Sequence, residues 1–308
     1  MNKVLRIGTR ESELAVWQAT LVQKSFAQHG IASELVYIKS EGDIDLVTPL
    51  YAIGVQGIFT KTLDAALLSH RIDIAVHSMK DVPTQMAQGI TQAAVLKRAS
   101  QVDVLVYKND PSFLEDEQSV AVIASSSVRR IAQWVNRYSN HKIENLRGNV
   151  NTRMQKVRDN NWNGAIFAAA GIERIGLRPS NSINLEWMLP APAQGAIMVV
   201  CREEDKTVLE QCALLNDLDT AVCTKVERDF LRTLMGGCST PIGALAQIEG
   251  DDLLFKGNIL SPDGRYKAVI EKRVGLSDCD SNIGTTLAQQ ILADGGTAIM
   301  ETIRHATK

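Results

Sequence analysis

Segments typical of strands alternate with segments typical of helices along the first 100 residues, and this order restricts the fold more than any other feature of the sequence. A strand pattern at residues 4–8 precedes a helical pattern that starts after Ser12 and places Trp17 and Phe26 on its apolar face. Residues 72–76 are almost continuously apolar, which is typical of a strand covered on both faces. The pattern predicts βαβ units and a parallel sheet.

The same order of segments begins again after residue 100. Strand patterns at residues 102–107 and 165–169 predict a second α/β domain. The proline-rich stretch 189–193 then interrupts the chain, and residues 196–201 have the pattern of a strand that returns to the first domain. Two crossings between the same domains favour a hinge.

The composition changes from about Asp219. A long helix pattern at residues 221–235 is followed by alternating segments with hairpin signals such as Pro262-Asp263-Gly264, and by a closing helix near residues 283–293. These patterns predict a small α+β domain with an antiparallel sheet. The predicted fold class is therefore α/β in three domains, of which the first two have mixed, largely parallel sheets. We expect domain 1 to comprise residues 1–98 plus 194–216, domain 2 residues 99–193 and domain 3 residues 217–308.

Charge and apolar content exclude several classes of protein. The 33 lysines and arginines are balanced by 35 aspartates and glutamates, and this formal net charge of −2 argues against a nucleic-acid-binding protein. No stretch reaches the ~18 apolar residues of a membrane span, and the first residues turn polar too early for a signal peptide. We therefore expect a soluble, cytoplasmic protein with no nucleic-acid or membrane partner. The five cysteines show neither a disulfide pattern nor zinc spacing, so we expect no metal site and predict that Cys201, Cys212 and Cys223 are buried.

Serines and arginines are concentrated between a predicted strand and a predicted helix, at Ser125, Ser126, Ser127, Arg129 and Arg130. Amides at a helix start, hydroxyls and guanidinium groups together form a site for a carboxylate or a phosphate. Positive charges in the first turn of a helix are unfavourable because of the helix dipole, so Arg129 and Arg130 must be stabilised by another interaction, such as a bound anion. The alternative is an ordinary serine N-cap with surface arginines.

Further arginines lie at inferred strand ends and turns. Arg10 follows the first strand, and Arg147 and Arg153 flank a glycine turn. Ligands of open α/β sheets bind outside the carboxyl ends of the strands. Each arginine alone is more often a solvated side chain, but several of them in a chain without net positive charge favour a ligand with several negative groups.

Lys80 and Asp81 come directly after the buried strand and before Val82-Pro83. A carboxylate at this position can stabilise a developing cation and accept a hydrogen bond from a ring N–H. The alternative is a local surface feature, and His77 taken alone is more often structural than catalytic.

A glycine-flanked thiol occurs in the segment Gly236-Gly237-Cys238-Ser239-Thr240-Pro241. Paired glycines allow close approach of a bulky group, so Cys238 is a candidate attachment point or nucleophile. A buried, inert cysteine is the alternative reading of this segment alone.

Taken together, these segments resemble the porphobilinogen deaminase family. The matching motifs are Ile7-Gly8-Thr9-Arg10-Glu11-Ser12, Asp73 to Pro83, Leu146-Arg147-Gly148-Asn149, Gln194-Gly195-Ala196 and Gly236-Gly237-Cys238 with Pro241-Ile242-Gly243. The match runs nearly from end to end. The chain departs from the family pattern at Ala124-Ser125, where Gly-Thr is common, and at Gln56, where many members have lysine.

The resemblance implies two domains like those of periplasmic binding proteins with the active site between them, a third domain that carries the cofactor, and a monomer. It also implies a dipyrromethane cofactor attached through a thioether to Cys238. The implied activity joins four porphobilinogen molecules head to tail on this primer, with loss of ammonia each time, and then releases hydroxymethylbilane by hydrolysis.

The resemblance further implies roles for individual residues. Asp81 would be catalytic, because an aspartate at the pyrrole N–H can stabilise the methylene-pyrrolenine cation that remains when ammonia leaves. The residues implied to hold cofactor and substrate carboxylates are Arg10, Ser12, Lys80, Ser126, Ser127, Arg129, Arg130, Arg147, Arg153 and Arg174.

Two alternatives without catalysis share this fold. One is an anion-binding module with the periplasmic-binding-protein fold, and the other is a ligand-sensing domain of a transcription regulator. Neither requires Cys238, so both predict an unmodified thiol.

Overall fold

The computed structural model describes residues 4–39, 60–116, 118–235 and 240–306, which divide into two compact units. The first unit contains the described residues up to Ala99 together with Gly195–Val222. The second contains Ser100–Gln194 and the described residues from Cys223 onward. In these ranges, no helix combines the length and the apolar character needed to cross a bilayer.

Strands and helices follow one another along most of the described chain. The strands are β1 (Leu5–Thr9), β2 (Ser33–Tyr37), β3 (Ile74–Ser78), β4 (Ile90–Val95), β5 (Asp103–Tyr107), β6 (Val122–Ala124), β7 (Lys142–Glu144), β8 (Gly164–Ala168), β9 (Ser182–Asn184), β10 (Ile197–Arg202), β11 (Ile242–Glu249), β12 (Asp252–Leu260) and β13 (Lys267–Gly275). The helices are α1 (Glu13–Gln28), α2 (Lys61–Leu68), α3 (Val128–Arg137), α4 (Val150–Asp159), α5 (Ala169–Glu173), α6 (Lys206–Ala213), α7 (Leu218–Thr233), α8 (Ile283–Ile291) and α9 (Thr297–Ala306).

The first unit contains a five-stranded sheet in the order β2-β1-β3-β10-β4. Strands β1, β2 and β3 are parallel, whereas β10 is antiparallel to both of its neighbours. Four of the five strands therefore run in one direction. All six residues of β10 are buried, and Val22 and Phe26 of α1 pack in one core with Ile74 and Val76 of β3. A strand that is apolar on both faces needs cover on both faces, and the helices supply it.

The sheet of the second unit has the order β7-β6-β8-β5-β9. Strands β6, β7 and β8 are parallel, and β5 is antiparallel to β8 and β9. This arrangement repeats that of the first sheet. Its two faces belong to two cores, with Val104 and Val106 of β5 in one and Leu105 in the other. The alternation follows from the two-residue period of a strand.

The second unit also contains an antiparallel sheet in the order β11-β12-β13. Phe230 of α7 packs on Phe255 of β12 with their ring centroids 5.0 Å apart. Between β12 and β13 the chain turns at Gly264, which has a φ of 71°. A positive φ favours glycine because it lacks a Cβ atom, so the hairpin prediction from Pro262-Asp263-Gly264 is confirmed here.

Glu227 of α7 fixes the proline-rich segment that precedes β10. Its carboxylate is fully buried and accepts hydrogen bonds from the N–H of Ala193, at 2.6 Å, and from the N–H of Ala246 in β11, at 2.7 Å. Ala193 has a φ of 62°, a conformation unusual for alanine. The two hydrogen bonds hold this strained residue against the antiparallel sheet.

The fold class predicted from the sequence is confirmed: the chain is α/β with two mixed sheets and a small antiparallel sheet. Trp17, expected on the same apolar helix face as Phe26, is 37% exposed, whereas Phe26 and the neighbouring Gln18 are buried. The helix predicted near residues 283–293 is confirmed as α8, Ile283–Ile291, but it is not the closing element, because α9 follows it after a kink at Gly295. The division into three domains stays a prediction.

Candidate active site

The carboxyl ends of β1 and β3 place four of the predicted site residues at one edge of the first sheet. The two strands are parallel, with Gly8 opposite Ala75, so the residues that follow them emerge on the same side. Arg10 follows β1 directly, and Ser12 is the N-cap residue of α1. Lys80 and Asp81 lie in a single turn, Met79–Asp81, that follows β3.

This turn is fixed at both ends. The N–H of buried Met79 donates to the carbonyl oxygen of Ala196, at 3.0 Å, and the N–H of Val82 donates to the carbonyl oxygen of Met79, at 3.1 Å. Just before the turn, the side-chain amide of Gln18 donates to the Ser78 hydroxyl at 2.9 Å. The backbone that carries Lys80 and Asp81 is thus tied to the residue that directly precedes β10 and, through Ser78, to α1.

The Asp81 side chain is half-buried. Among the described residues it makes neither a side-chain hydrogen bond nor an ion pair. A half-buried carboxylate on a fixed turn is expected to be satisfied, so a ligand or water is the natural partner.

In the serine segment between β6 and α3 of the second unit, Ser126 and Ser127 differ in their hydrogen bonds. The Ser126 hydroxyl accepts a hydrogen bond from the N–H of Leu146 at 2.8 Å and lies 2.7 Å from the carbonyl oxygen of the same residue. Ser126 therefore ties this segment to the loop that follows β7. Ser127 is the N-cap residue of α3, and its side chain does not cap the helix. The N-terminal amides of α3 consequently lack a side-chain acceptor from Ser127.

Arg129 and Arg130 in the first turn of α3 share the carboxylate of buried Asp103. Arg129 Nη1 lies 2.7 Å from Asp103 Oδ2, and Arg130 Nη2 lies 2.8 Å from Asp103 Oδ1. Arg130 also donates through Nε to Asp103 Oδ1, at 3.1 Å, and through Nη1 to the carbonyl oxygen of Ile166, at 3.0 Å. The Arg130 guanidinium already binds Asp103 and Ile166 inside the protein. A ligand carboxylate would have to share this guanidinium with those internal partners.

Arg129 extends the same network toward the proline-rich segment. Its Nη1 donates to the carbonyl oxygen of Leu189 at 2.6 Å, and the side-chain amide of Gln194 donates to Asp103 Oδ1 at 2.9 Å. Burial alone would raise the pKa of Asp103, but the two guanidinium charges outweigh it and hold that pKa well below its ordinary value. Burial lowers the pKa of Arg129, although the charge of Asp103 opposes this.

Arg147 and Arg153 lie on either side of a glycine turn that only glycine fits well. Gly148 has a φ of 114°, and a Cβ atom there would lie 2.8 Å from a Thr152 methyl carbon. Arg153 Nε donates to the carbonyl oxygen of Gly148 at 2.7 Å, and Asn149 caps α4 by accepting the N–H of Thr152 at 2.9 Å. Arg147 is buried, so its side chain is held beside the turn.

Arg174 is half-buried and lies directly after α5. Burial lowers its pKa to about 10, against a smaller opposing effect of Glu173. The side chain is still a cation at pH 7, and a carboxylate ligand would stabilise it.

The candidate attachment residue, Cys238, and the departure from the family pattern at Gln56 lie outside the described residues. The other cysteine predictions can be compared with the structure. Cys201, Cys212 and Cys223 are buried, as predicted.

Analysis of the sequence missed three polar residues that fix the segments carrying candidate site residues, one in the first unit and two in the second. Gln18 was hidden in a helix assigned by its apolar residues, and Glu227 lies in the middle of α7. Asp103 was the one residue with a visible signal, because it is a charge within the otherwise apolar segment 102–107. A buried charge in a strand requires partners, and Arg129 and Arg130 are those partners.

The fold and these strand-end residues define a class of protein: an α/β protein with arginine, lysine, serine and aspartate side chains suited to a ligand that carries several carboxylates. Residues 5–210 match the family model described as "Porphobilinogen deaminase, dipyromethane cofactor binding domain", and residues 221–293 match "Porphobilinogen deaminase, C-terminal domain". The chain belongs to the porphobilinogen deaminase family, the hydroxymethylbilane synthases, which are transferases of porphyrin and heme biosynthesis with a dipyrromethane cofactor. The resemblance seen in the motifs is confirmed.

Individual relatives match over nearly the whole chain. A porphobilinogen deaminase of Acidithiobacillus ferrooxidans is 38% identical over 312 residues, which cover 99% of this chain and 100% of the relative. One of Trichlorobacter lovleyi is 38% identical over 306 residues, 98% of this chain and 97% of the relative. Among solved structures, the methionine binding protein MetQ matches 70% of this chain and 91% of its own at 13% identity, with a TM-score of 0.43.

Replacing Asp103 by asparagine should destabilise the protein by about 3–5 kcal/mol, because two arginines would remain buried without their counter-charge. Urea denaturation at pH 7 measures this difference. Asp251→Asn, at an exposed aspartate, is the matched control and should change the free energy of unfolding by less than about 0.5 kcal/mol. Equal midpoints for D103N and the control would contradict the assigned role of the network.

Burial, assisted by the positive charge of Arg10, lowers the pKa of His77 from 6.5 to about 4. Asp64 of α2 lines a small cavity together with His77. Below pH 6.5 the unfolded chain therefore takes up a proton that the folded chain does not, so stability falls as the pH falls toward 4. Compared with His77→Gln, the wild type should lose about 2 kcal/mol between pH 7 and pH 5. Urea denaturation at both pH values tests this, with exposed His305→Gln as control. Parallel pH profiles for the wild type and H77Q would show that the imidazole charges equally in both states.

Proposed function

We propose that this chain joins four porphobilinogen molecules head to tail, with loss of one ammonia per addition, and then releases hydroxymethylbilane by hydrolysis. The dipyrromethane cofactor, attached through a thioether to Cys238, supplies the pyrrole on which the product is built. Membership of the family supports this proposal at the level of the enzyme class. The alternative is the anion-binding module without catalysis.

The observation that carries the proposal is the position of Asp81. Its carboxylate is half-buried, lies on a turn tied to the residue that directly precedes β10 and, through Ser78, to α1, and has no side-chain partner among the described residues. A fixed carboxylate stabilises a developing cation more effectively than water does, because it needs no reorganisation during the reaction. We assign Asp81 to the pyrrole N–H of the substrate, where positive charge develops as ammonia leaves.

The chemistry of the donor residues fits a cofactor with several carboxylates. Each pyrrole unit carries an acetate and a propionate, and guanidinium groups bind carboxylates in two-point geometry. Arg174 is a half-buried cation, and the N-terminus of α3 is not capped by its own serine. Both features favour a negatively charged ligand.

The remaining assignments extend the same reasoning. Lys80 and Arg10 emerge at the sheet edge that also carries Asp81, so we assign them to substrate carboxylates. We keep Ser12, Ser126, Ser127, Arg129, Arg130, Arg147, Arg153 and Arg174 as carboxylate-binding residues in the proposal. For Arg129 and Arg130, internal hydrogen bonds to Asp103 would leave only part of the guanidinium for a ligand. A monomeric state and a cytoplasmic location stay predictions from the sequence.

The intact mass of the purified protein tests the cofactor assignment. We expect an excess equal to two linked pyrrole units, located by peptide mapping to the segment around Cys238. The variant Cys238→Ser should lack this excess and should form no product, whereas Cys279→Ser, a control outside the predicted site, should keep both. An unmodified wild type that forms no adduct after incubation with porphobilinogen would favour the binding module.

Asp81→Asn should lower kcat by a factor of about 100 or more, because the neutral amide cannot stabilise the developing cation. Product formation from porphobilinogen measures the loss, and the intact mass of the same sample separates slow elongation from a missing cofactor. Thermal unfolding should be nearly unchanged, since Asp81 has no side-chain partner among the described residues. Asp251→Asn serves again as the exposed control. Activity of D81N within a factor of ten of the wild type would overturn the catalytic role.

A further inference from the structure

A small cavity, here called the His77 cavity, lies inside the first unit between α2 and the sheet. Its volume is about 20 Å³. Three of the residues that line it are polar, namely Thr60, Asp64 and His77, and apolar side chains such as Val82 and Val200 complete the wall. A cavity of this volume holds one water molecule, provided that the wall offers two or more polar partners.

Among these polar residues, His77 has an incomplete set of hydrogen bonds. It is only 6% exposed, and its Nε2 atom has no hydrogen-bond partner among the described residues. An unpaired polar atom in the interior is destabilising, which is why such atoms are usually satisfied by protein groups or by ordered water. The Nε2 atom therefore needs a partner that the described side chains around it do not supply.

Asp64 brings a second polar group to the same cavity. Burial raises its pKa, while a hydrogen bond from the Thr60 side chain opposes this shift. Whether charged or neutral, its carboxyl group offers acceptor oxygens to a water molecule. Histidine from β3 and aspartate from α2 thus face one space that is large enough for one bridging molecule.

The His77 cavity lies at the base of the Met79–Asp81 turn. His77 lies two residues before the turn, Val82 and Pro83 follow it directly, and all three residues line the cavity. A molecule bound in the cavity would therefore contact residues on both sides of the turn. The cavity is thus connected to Asp81 through the backbone of the turn.

We propose that the His77 cavity binds one ordered water molecule, held by His77 Nε2 and the carboxyl group of Asp64, and that His77 is a positioning residue for Asp81. The water site stands on the cavity and its wall alone. The positioning role rests on the proposed function, because it matters only if Asp81 acts on the substrate.

A high-resolution crystal structure of the complete protein tests the water site directly. We expect one water peak in the cavity, within about 2.7–3.2 Å of His77 Nε2. In solution, the imidazole ¹⁵N shifts of His77 should report a hydrogen-bonded Nε2, and His77→Phe should lose the water. A dry cavity in the crystal would overturn the proposal, whatever the activity of the protein.

Kinetics of three variants test the positioning role. His77→Phe should lower kcat about tenfold with KM nearly unchanged, because small misplacements of a catalytic group have effects of this size or larger. His77→Gln keeps a polar end that can bind the water, so it should recover most of kcat. Val22→Ala, at a buried valine of the same core, controls for lost stability and should leave kcat unchanged.

The outcomes separate the two claims. If H77F keeps the kcat of the wild type while the wild-type crystal contains the water, the positioning role is wrong and the water site stands. If the wild type forms no product, the proposed function fails, and the crystal structure still decides the water site. If H77F does not fold, the test is the comparison of H77Q with the wild type. A tenfold loss of kcat in H77Q would contradict the expectation that a polar side chain able to bind the water keeps most of kcat.

Discussion

The second unit depends on one buried carboxylate that binds two arginines. Asp103 is fully buried at the start of β5, and Arg129 and Arg130 reach it from the first turn of α3. Arg129 also holds the carbonyl oxygen of Leu189, and Gln194 donates to the same carboxylate. Removing one member of such a network would leave uncompensated charge in the interior, which costs far more than the net gain from forming it. The network fixes a strand, a helix start and the connection that leads out of the sheet.

The first unit also contains a buried aspartate that interacts with two arginines. Asp73, fully buried just before β3, accepts hydrogen bonds from the backbone N–H and the guanidinium of Arg6, and Arg202 Nη2 lies 3.5 Å away. Arg202 in turn donates to the carbonyl oxygens of Leu67 and Ile72. In both units a buried aspartate near the start of a central strand forms ion pairs with two arginines. These arginines have internal ion-pair partners, so at least part of each guanidinium group stabilises the fold of its unit.

The sequence predicted the apolar strands well, because an apolar run such as residues 165–169 has one stable environment, a sheet covered on both faces. It predicted less about polar residues in the interior. Helical spacing put Trp17 on the apolar face of its helix, but it is 37% exposed, whereas Gln18 is buried and donates a hydrogen bond to Ser78. Motif matches located Asp81, but no spacing could indicate that His77 and Asp64 face one cavity, since that depends on how α2 packs on the sheet. The strand order was equally hidden, because it depends on contacts between residues far apart in sequence.

The position of β10 has a consequence for how the chain becomes a folded protein. Strands β3 and β4 are not neighbours, since β10 lies between them, and β10 is formed by residues 197–202. During synthesis, every residue of the second sheet leaves the ribosome before the first sheet can acquire this strand. The amino-terminal part of the chain must therefore wait with the apolar edges of β3 and β4 unpaired, a state in which chains are prone to aggregate. The sheet of the first unit begins earlier in the sequence than that of the second unit, but it can be completed only later.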